Sequence, residues 1–490
     1  MKNVRFDFNN LFDTNVGRKN GVTKPDLAKM AHAAKNAHAH LRAVIRNKPD
    51  RIGLGLEWTQ LPFQDEQTVA SIERMGRKIA SSYDTVISLG IGGSYLGLKA
   101  AQDALLPPYY NEFQGLRKGR PRVYFDGNNL DPTTLSSLLQ HLNPKKTFVI
   151  VISKSGETTE TKSAFSVVER WLKNSVGPRY GRQVIAITDP RSGTLRSKVN
   201  AEQQKDRLSF RDLTVMKGVG GRFSELNIGL LHLAIIGVNI REVLAGAGAM
   251  YGRCTSSDPY KNPALMYAVL HTILSRKKGK AIAVMMPFSE SLKSTADWYV
   301  QLLAESLGKK YGRAIRRHSD GTETWQADKR RVVNAGRTPI PARGTNDLHS
   351  IQQNNIEGRN DKVTTFIRVT MFRHDITIPH TGDLLSGKRY SRLLTLAQEA
   401  TEWALVQESR PNCAIIMPEI SPRHWGELLF FFEMATAYEG ELLNVNAFDQ
   451  PGVEGYKNYM YYKLRKPGIS PDLARTIRRH PLKKAARLII

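Results

Sequence analysis

Residues 88–101 read SLGIGGSYLGLKAA, and this stretch decides how the first half of the chain folds. An apolar run ends at Leu89, three glycines, one isoleucine and a serine occupy residues 90–94, and an alanine-rich, helix-favouring run follows. A strand, a glycine turn and a helix start in this order can hold a phosphate on backbone N–H groups. The same pattern also fits a tight structural turn, because glycine adopts unusual backbone angles easily.

The spacing of the glycines excludes two common nucleotide-binding motifs. A dinucleotide fingerprint needs a third glycine at position 95, where Tyr95 stands. A Walker A loop needs a lysine directly after Gly97, where Leu98 stands. The turn therefore belongs to neither class.

Short apolar runs bounded by turn residues predict the strands of a parallel sheet. DTVISLG, TFVIVIS and QVIAITD (residues 84–90, 147–153 and 183–189) alternate with helical patterns, as strands covered on both faces do. KAIAVMMPF, TTFIRVT and NCAIIMPEI (residues 280–288, 364–370 and 412–420) predict a second such region. In these sheets ligands bind at the carboxyl ends of the strands. We therefore expect the glycine turn and the loop after residue 152 to share one functional edge.

The predicted organisation is an α/β fold of two α/β/α sandwich domains with mainly parallel sheets, helical linkers and a C-terminal tail. Its predicted segments are an N-terminal helical segment (1–60), a first α/β domain with the phosphate loops (61–235), a helical linker (236–279), a second α/β domain (280–450), and a C-terminal helix with a basic tail (451–490).

Composition is that of an ordinary globular protein, but its charge is strongly basic. Lys and Arg number 72 against 45 Asp and Glu, a net charge of +27. Residues 309–343 contribute +7 and the basic tail, residues 458–490, contributes +8. Nucleic-acid binding is disfavoured, because the tail carries no aromatic residue after Tyr462. With two cysteines, no 20-residue apolar run and no secretory signal, we expect a cytoplasmic protein without membrane contact.

A second loop repeats the strand–loop–helix pattern with hydroxyl residues. VISKSGETTETKSAF (residues 151–165) places serines, threonines and N–H groups around a predicted helix N-terminus, where an anion gains hydrogen bonds and a favourable dipole. Serine and threonine also serve as ordinary helix caps. The density of hydroxyl residues favours a phosphate site.

Six motifs together resemble the glucose-6-phosphate isomerase family, which has the sugar-isomerase fold. They are GIGGSYLG, SKSGETTE, GGRFSEL, LLAESLGK, GTNDLHSIQQ and FDQPGVEGYK, in this order along the chain. The resemblance implies interconversion of glucose 6-phosphate and fructose 6-phosphate without a metal or cofactor. It also implies the residues that contact the phosphosugar substrate, which are Gly93, Ser94, Ser153, Lys154 through its backbone, Ser155, Thr158, Gln301 and Gln450.

The resemblance further assigns catalytic roles to four residues. Glu305 would transfer the proton between C2 and C1, and Arg222 would stabilise the enediol oxygen. His349 and Lys457 would assist ring opening, with His349 supplied by the second subunit of a homodimer. From periodicity alone, Glu305 shares only a solvated polar helix face with Gln301 and Asp297.

Some features depart from the family pattern, and alternatives remain. Glu305 and His349 are separated by the basic stretch 309–343, which we interpret as either a disordered loop or a lid over the cleft. Pro451 stands where the family has tryptophan. The alternatives are an isomerase that also accepts mannose 6-phosphate and a non-catalytic regulator that binds phosphosugars. Retention of Glu305, His349 and Lys457 argues against the regulator.

Overall fold

Two five-stranded sheets organise the larger part of the chain. The computed structural model describes residues 2–489, and the chain divides into two units, Met1–Phe448 and Asp449–Ile490. The strands, all in the larger unit, are β1 (Arg5–Asp7), β2 (Thr85–Leu89), β3 (Arg122–Asp126), β4 (Thr147–Ile152), β5 (Val184–Thr188), β6 (Arg211–Thr214), β7 (Ile282–Pro287), β8 (Lys309–Arg317), β9 (Glu323–Ala335), β10 (Thr338–Pro341), β11 (Lys362–Met371) and β12 (Asn412–Glu419).

Helices cover both sheets and continue into the smaller unit. They are α1 (Asp13–Asn20), α2 (Lys24–Arg46), α3 (Lys48–Gly53), α4 (Glu66–Ser82), α5 (Leu96–Leu105), α6 (Gln114–Arg117), α7 (Pro132–His141), α8 (Thr159–Val176), α9 (Thr194–Lys205), α10 (Glu225–Ile228), α11 (Leu230–Ile235), α12 (Ile240–Arg253), α13 (Pro263–Lys278), α14 (Lys293–Leu307), α15 (Gln352–Ile356), α16 (Tyr390–Gln407), α17 (Pro422–Leu443), α18 (Glu454–Lys463) and α19 (Pro471–Arg479).

The first sheet is parallel throughout, with strand order β3-β2-β4-β5-β6. Successive residues of one strand pack into different hydrophobic cores. In β2, Val86 packs on one face of the sheet and Ile87 on the other. Such burial on both faces requires the continuous apolar runs seen in the sequence. Because Leu89 lies opposite Val151, the loops that follow β2 and β4 leave the same edge of the sheet, as expected.

The second sheet has the order β1-β12-β11-β7-β10 and is parallel except at one edge. There β1 runs antiparallel to β12, with Phe6 opposite Ile415. The sequence analysis did not predict β1, because three residues are too few to show a periodicity. The α/β fold with mainly parallel sheets is confirmed, whereas the finer division into five segments stays a prediction.

The basic stretch 309–343 is ordered, so its interpretation as a disordered loop is wrong. β8 and β9 form an antiparallel hairpin, and β10 then joins the second sheet beside β7. The guanidinium of Arg313 makes two hydrogen bonds to the Glu441 carboxylate on α17, at 2.6 and 2.9 Å. The backbone N–H of Glu323 donates to Asp50 on α3. These long-range contacts hold the hairpin against the helices.

His40 of α2 lies between two carboxylates, one on α17 and one beside the turn of this hairpin. Its ring nitrogens lie 2.7 Å from Glu441 and 2.9 Å from Glu323. The hydrogen bond to Glu441 raises the pKa of His40; burial and Arg313 oppose this effect, and the charges of both carboxylates reinforce it. A histidine with a raised native pKa stabilises the fold fully below its unfolded pKa of about 6.5, and this contribution disappears as pH rises through the native value.

We therefore predict a pH-dependent penalty for His40→Gln. At pH 6 the variant loses a charged hydrogen-bonded group, worth about 2 kcal/mol. The stability difference from wild type should narrow toward pH 9, as the wild-type ring loses its proton above its raised native pKa. Chemical denaturation of both proteins at pH 6 and pH 9 measures it. A difference that is the same at both pH values would show that His40 does not titrate against these carboxylates.

Candidate functional site

The glycine turn after β2 brings three chain segments into close contact. Gly92–Ser94 forms one turn of 3-10 helix before α5. A Cβ atom on Gly93 would lie 1.6 Å from the carbonyl oxygen of Gly221, and one on Gly92, whose φ is +59°, would lie 2.9 Å from Gln301 Nε2. Only glycine allows these approaches. The turn is thus packed directly against residues 220–222, the GGR segment, and against α14.

The hydroxyl-rich loop after β4 leaves the same sheet edge and curls over the start of α8. Ser153 Oγ accepts a hydrogen bond from the N–H of Gly156 at 3.0 Å, and Ser155 Oγ accepts one from Glu157 at 3.1 Å. Lys154 is tied through its backbone carbonyl, which accepts from the Asp189 N–H. Thr158 occupies the N-cap position of α8 without a side-chain capping bond. An anion at this loop gains from the N-terminus of an 18-residue helix.

Arg222 is a buried cation held on several sides. It follows Gly221 in a 3-10 turn and is only 2% exposed. Its guanidinium donates to Ser306 Oγ at 2.7 Å and to the Ala447 carbonyl at 2.7 Å. Its third nitrogen lies 3.4 Å from Glu305 Oε2. A guanidinium fixed in this way keeps its position while charge develops beside it.

Gln301 and Glu305 lie one turn apart on α14, as predicted from their spacing. Gln301 Nε2 is 3.4 Å from Glu305 Oε1, and the opposite atom, Gln301 Oε1, is buried without a hydrogen-bond partner among residues 2–489. The Glu305 side chain keeps 30% of its surface exposed, so a small molecule can reach it. Its backbone carbonyl accepts a 2.5 Å hydrogen bond from Lys309 at the start of β8.

A buried acidic side chain anchors the GGR segment to the same helix. Glu225, three residues after Arg222, accepts a 2.8 Å hydrogen bond from the Trp298 indole on α14. Burial raises the pKa of Glu225 to about 7, and burial together with the Glu225 charge raises the pKa of Glu433 well above its usual range. A Cβ at Gly97 would meet Glu225, so α5 also approaches closely.

His349 is not joined to these residues within the chain. It ends the 3-10 turn Asn346–His349 that follows β10, and its side chain is exposed. Over the described residues, the ring makes no hydrogen bond or ion pair. Its neighbours Leu348 and Ile351 pack into the core of the second sheet and fix the turn.

Lys457 and Gln450 belong to the smaller unit, Asp449–Ile490. Lys457 lies on α18, and its Nζ is 2.9 Å from Glu454 Oε1. Burial disfavours its charge, but the hydrogen bond and charge of Glu454 outweigh burial and raise the pKa of Lys457. Gln450 precedes a 3-10 turn that begins at Pro451. Lys457 is therefore a cation at neutral pH.

Two hydrogen-bond partners of Arg222, Ser306 and Ala447, were not predicted from the sequence. The hydroxyl of Ser306 is completely buried, and Ala447 contributes only a carbonyl oxygen. Ser306 directly follows Glu305 in the LLAESLGK motif, and this position could have indicated that Ser306 lies at the site. A backbone carbonyl leaves no signal in the sequence, since every residue has one.

The arrangement in the larger unit suits an anionic substrate whose reaction develops negative charge. Two loops offer backbone and hydroxyl donors at one sheet edge, and a fixed cation lies beside an accessible carboxylate. Among the residues that the structure describes, no three His, Cys, Asp or Glu side chains cluster as metal ligands would. Nor does any helix within residues 2–489 have the length and apolar character needed to cross a membrane.

Sequence relatives match most of the length of this chain. A glucose-6-phosphate isomerase from Carboxydothermus hydrogenoformans is 37% identical over 494 residues, covering 99% of both chains. One from Symbiobacterium thermophilum is 34% identical over 453 residues, covering 91% of this chain and 93% of the relative.

Solved structures show the same fold. A hypothetical protein from Thermus thermophilus superposes with a TM-score of 0.78 at 31% identity, covering 94% of this chain and 99% of its own. A glucose-6-phosphate isomerase from Chlamydia trachomatis superposes with a TM-score of 0.68 at 22% identity. The superposition covers 86% of this chain and 80% of the Chlamydia chain.

A sequence model of the family described as phosphoglucose isomerase matches residues 64–335 and 377–466. These ranges include both candidate phosphate loops, Arg222, Glu305 and Lys457, whereas His349 falls between them. With most of its length matched by the family model and a relative 37% identical over 99% of it, the chain belongs to the phosphoglucose isomerase family.

Proposed function

We propose that this protein interconverts glucose 6-phosphate and fructose 6-phosphate. The observation that carries the proposal is the fixed, buried guanidinium of Arg222, 3.4 Å from the accessible carboxylate of Glu305. Aldose–ketose isomerisation moves one proton between neighbouring carbons through an enediol. A carboxylate base and a cation beside it meet the two needs of that reaction.

The phosphosugar binds with its phosphate at the two loops of the first sheet. Gly93 and Ser94 approach from the first loop, and Ser153, the Lys154 backbone, Ser155 and Thr158 from the second. Gln301, whose buried side-chain oxygen has no hydrogen-bond partner among the described residues, and Gln450 contact the sugar. Hydroxyl and N–H donors suit the phosphate, because each donates a hydrogen bond to a charged acceptor.

Ring opening precedes proton transfer, because the C2 proton of the closed sugar is not acidic. In our proposal, Lys457 and a histidine perform this step, moving a proton to the ring oxygen and taking one from the hydroxyl at the anomeric carbon. Glu305 then removes the C2 proton and returns it to C1, while Arg222 stabilises the charge on the enediol oxygen.

The proposal includes a homodimer in which His349 serves the neighbouring subunit. Its exposed ring, which makes no hydrogen bond within the described chain, is available to a second copy. We also place the protein in the cytoplasm, since Cys254 and Cys413 are free buried thiols, as in a reducing compartment.

The test is turnover of fructose 6-phosphate by EDTA-treated protein, with formation of glucose 6-phosphate monitored. We expect turnover that EDTA does not reduce. Mannose 6-phosphate assayed in parallel determines whether the enzyme also accepts the C2 epimer. Binding of the sugar phosphates without turnover would overturn the proposal in favour of a regulator that senses phosphosugars.

A further inference from the structure

The end of the chain carries a cationic surface that the proposed reaction does not use. The family match ends at residue 466, and α19 begins at Pro471. At 100° per residue, Arg475, Arg478 and Arg479 project from one side of α19, and Leu473 and Ile477 from the opposite side. The apolar pair is half-buried, whereas the three arginines are exposed. Within the described part of the chain, only Arg475 of these three has an acidic neighbour, Asp472 at 3.7 Å.

The segment after α19 adds apolar side chains to these charges. Every residue from 481 to 489 is exposed, and Lys483, Lys484 and Arg487 lie among large apolar side chains. Leu482, Leu488 and Ile489 are 73%, 78% and 69% exposed. No acidic residue follows Asp472 in the sequence. Cations and exposed large aliphatic side chains thus occur together over one short stretch.

This combination distinguishes between two kinds of anionic partner. A single-stranded nucleic acid is bound by cations with aromatic side chains that stack on bases, and the chain has no aromatic residue after Tyr462. Exposed leucines gain nothing on a phosphate backbone. An anionic lipid surface uses both features, because headgroups attract the cations and the apolar side chains enter the boundary of the acyl region.

Contrary to the expectation of no membrane contact from the sequence, we propose that residues 471–489 form a docking surface for membranes that contain anionic phospholipids. Arg478, Arg479, Lys483 and Lys484 pair with headgroup phosphates, and Leu482 and Leu488 insert beside them. Each cation near such a surface strengthens binding about fivefold. The surface holds the protein reversibly at the membrane, as attraction between exposed charges weakens with salt.

The test is co-sedimentation of the full-length protein with phosphatidylcholine vesicles that do or do not contain phosphatidylglycerol. We expect binding to the anionic vesicles only, and weaker binding at higher salt. Replacing Arg478, Arg479, Lys483 and Lys484 by Gln should weaken binding at least tenfold. Leu482→Ser with Leu488→Ser should weaken it as well, by removing the inserted groups.

A matched control removes the same charge elsewhere on the protein. Arg316, Lys329, Arg330 and Arg331 are exposed on the β8–β9 hairpin, and their replacement by Gln should leave vesicle binding unchanged. Fructose 6-phosphate turnover in each variant reports correct folding. The proposal is overturned if the wild-type protein ignores anionic vesicles or if the hairpin variant loses binding equally. Tighter binding of a single-stranded oligonucleotide, insensitive to the leucine substitutions, would assign the surface to nucleic acid instead.

Discussion

Glu305→Gln should lower kcat for fructose 6-phosphate by about 10²–10⁴-fold, the usual contribution of a positioned general base. The amide has nearly the shape of the carboxylate but does not accept the C1 proton of fructose 6-phosphate. Arg222 keeps its hydrogen bonds to Ser306 and Ala447 in the variant, so the site stays assembled and KM should change little. Initial rates over a range of fructose 6-phosphate concentrations measure both constants.

Hydrogen exchange at C1 of the substrate distinguishes loss of the general base from a general loss of active structure. The wild-type enzyme in D₂O should exchange a C1 hydrogen of fructose 6-phosphate for deuterium as it forms and reverses the enediol, and the variant should lose this exchange together with turnover. Glu290→Gln is the matched control: Glu290 lies just before α14, is 71% exposed and pairs with Arg343. Its activity should equal that of wild type. Normal exchange in Glu305→Gln would mean that another group removes the proton.

Glu439→Gln should destabilise the protein by about 3–5 kcal/mol, the cost of leaving a buried charge without its partner. Glu439 on α17 accepts two hydrogen bonds from Arg337, at 2.9 and 2.7 Å, and both side chains are almost completely buried. Burial and the nearby Arg337 hold the pKa of His271 well below its usual range, so the imidazole stays neutral and does not replace the lost carboxylate. Urea denaturation at pH 7 gives the difference.

The chain offers an exposed pair of the same chemistry as a control. Arg241 also makes two hydrogen bonds to one glutamate, Glu66, but that carboxylate is 73% exposed. Glu66→Gln should barely shift the unfolding midpoint, because water and Glu73, which also accepts two hydrogen bonds from Arg241, compensate the loss. Replacing both Arg337 and Glu439 by methionine should recover stability relative to Glu439→Gln, since no buried charge remains. Equal midpoints for Glu439→Gln and Glu66→Gln would contradict our account of the pair.

The sheet edge and its two loops could be predicted because their causes are local. Strands buried on both faces require apolar runs, so β2, β4 and β5 are visible in the sequence, and the turns after β2 and β4 carry their own glycines and hydroxyls. Glu305 is different. Its helical spacing from Gln301 fits any solvated face, and only the resemblance to a family distinguished it.

By itself, the sequence determined the α/β class, the positions of the two candidate phosphate loops and the residues to consider. The tertiary structure decided which side chains meet: Arg222 is held by Ser306 and Ala447, which are 84 and 225 positions away. It also decided that the basic stretch is a docked hairpin and that β1 completes the second sheet. These contacts join elements far apart in the chain, so they depend on packing of the whole core and leave no periodic pattern in any one segment.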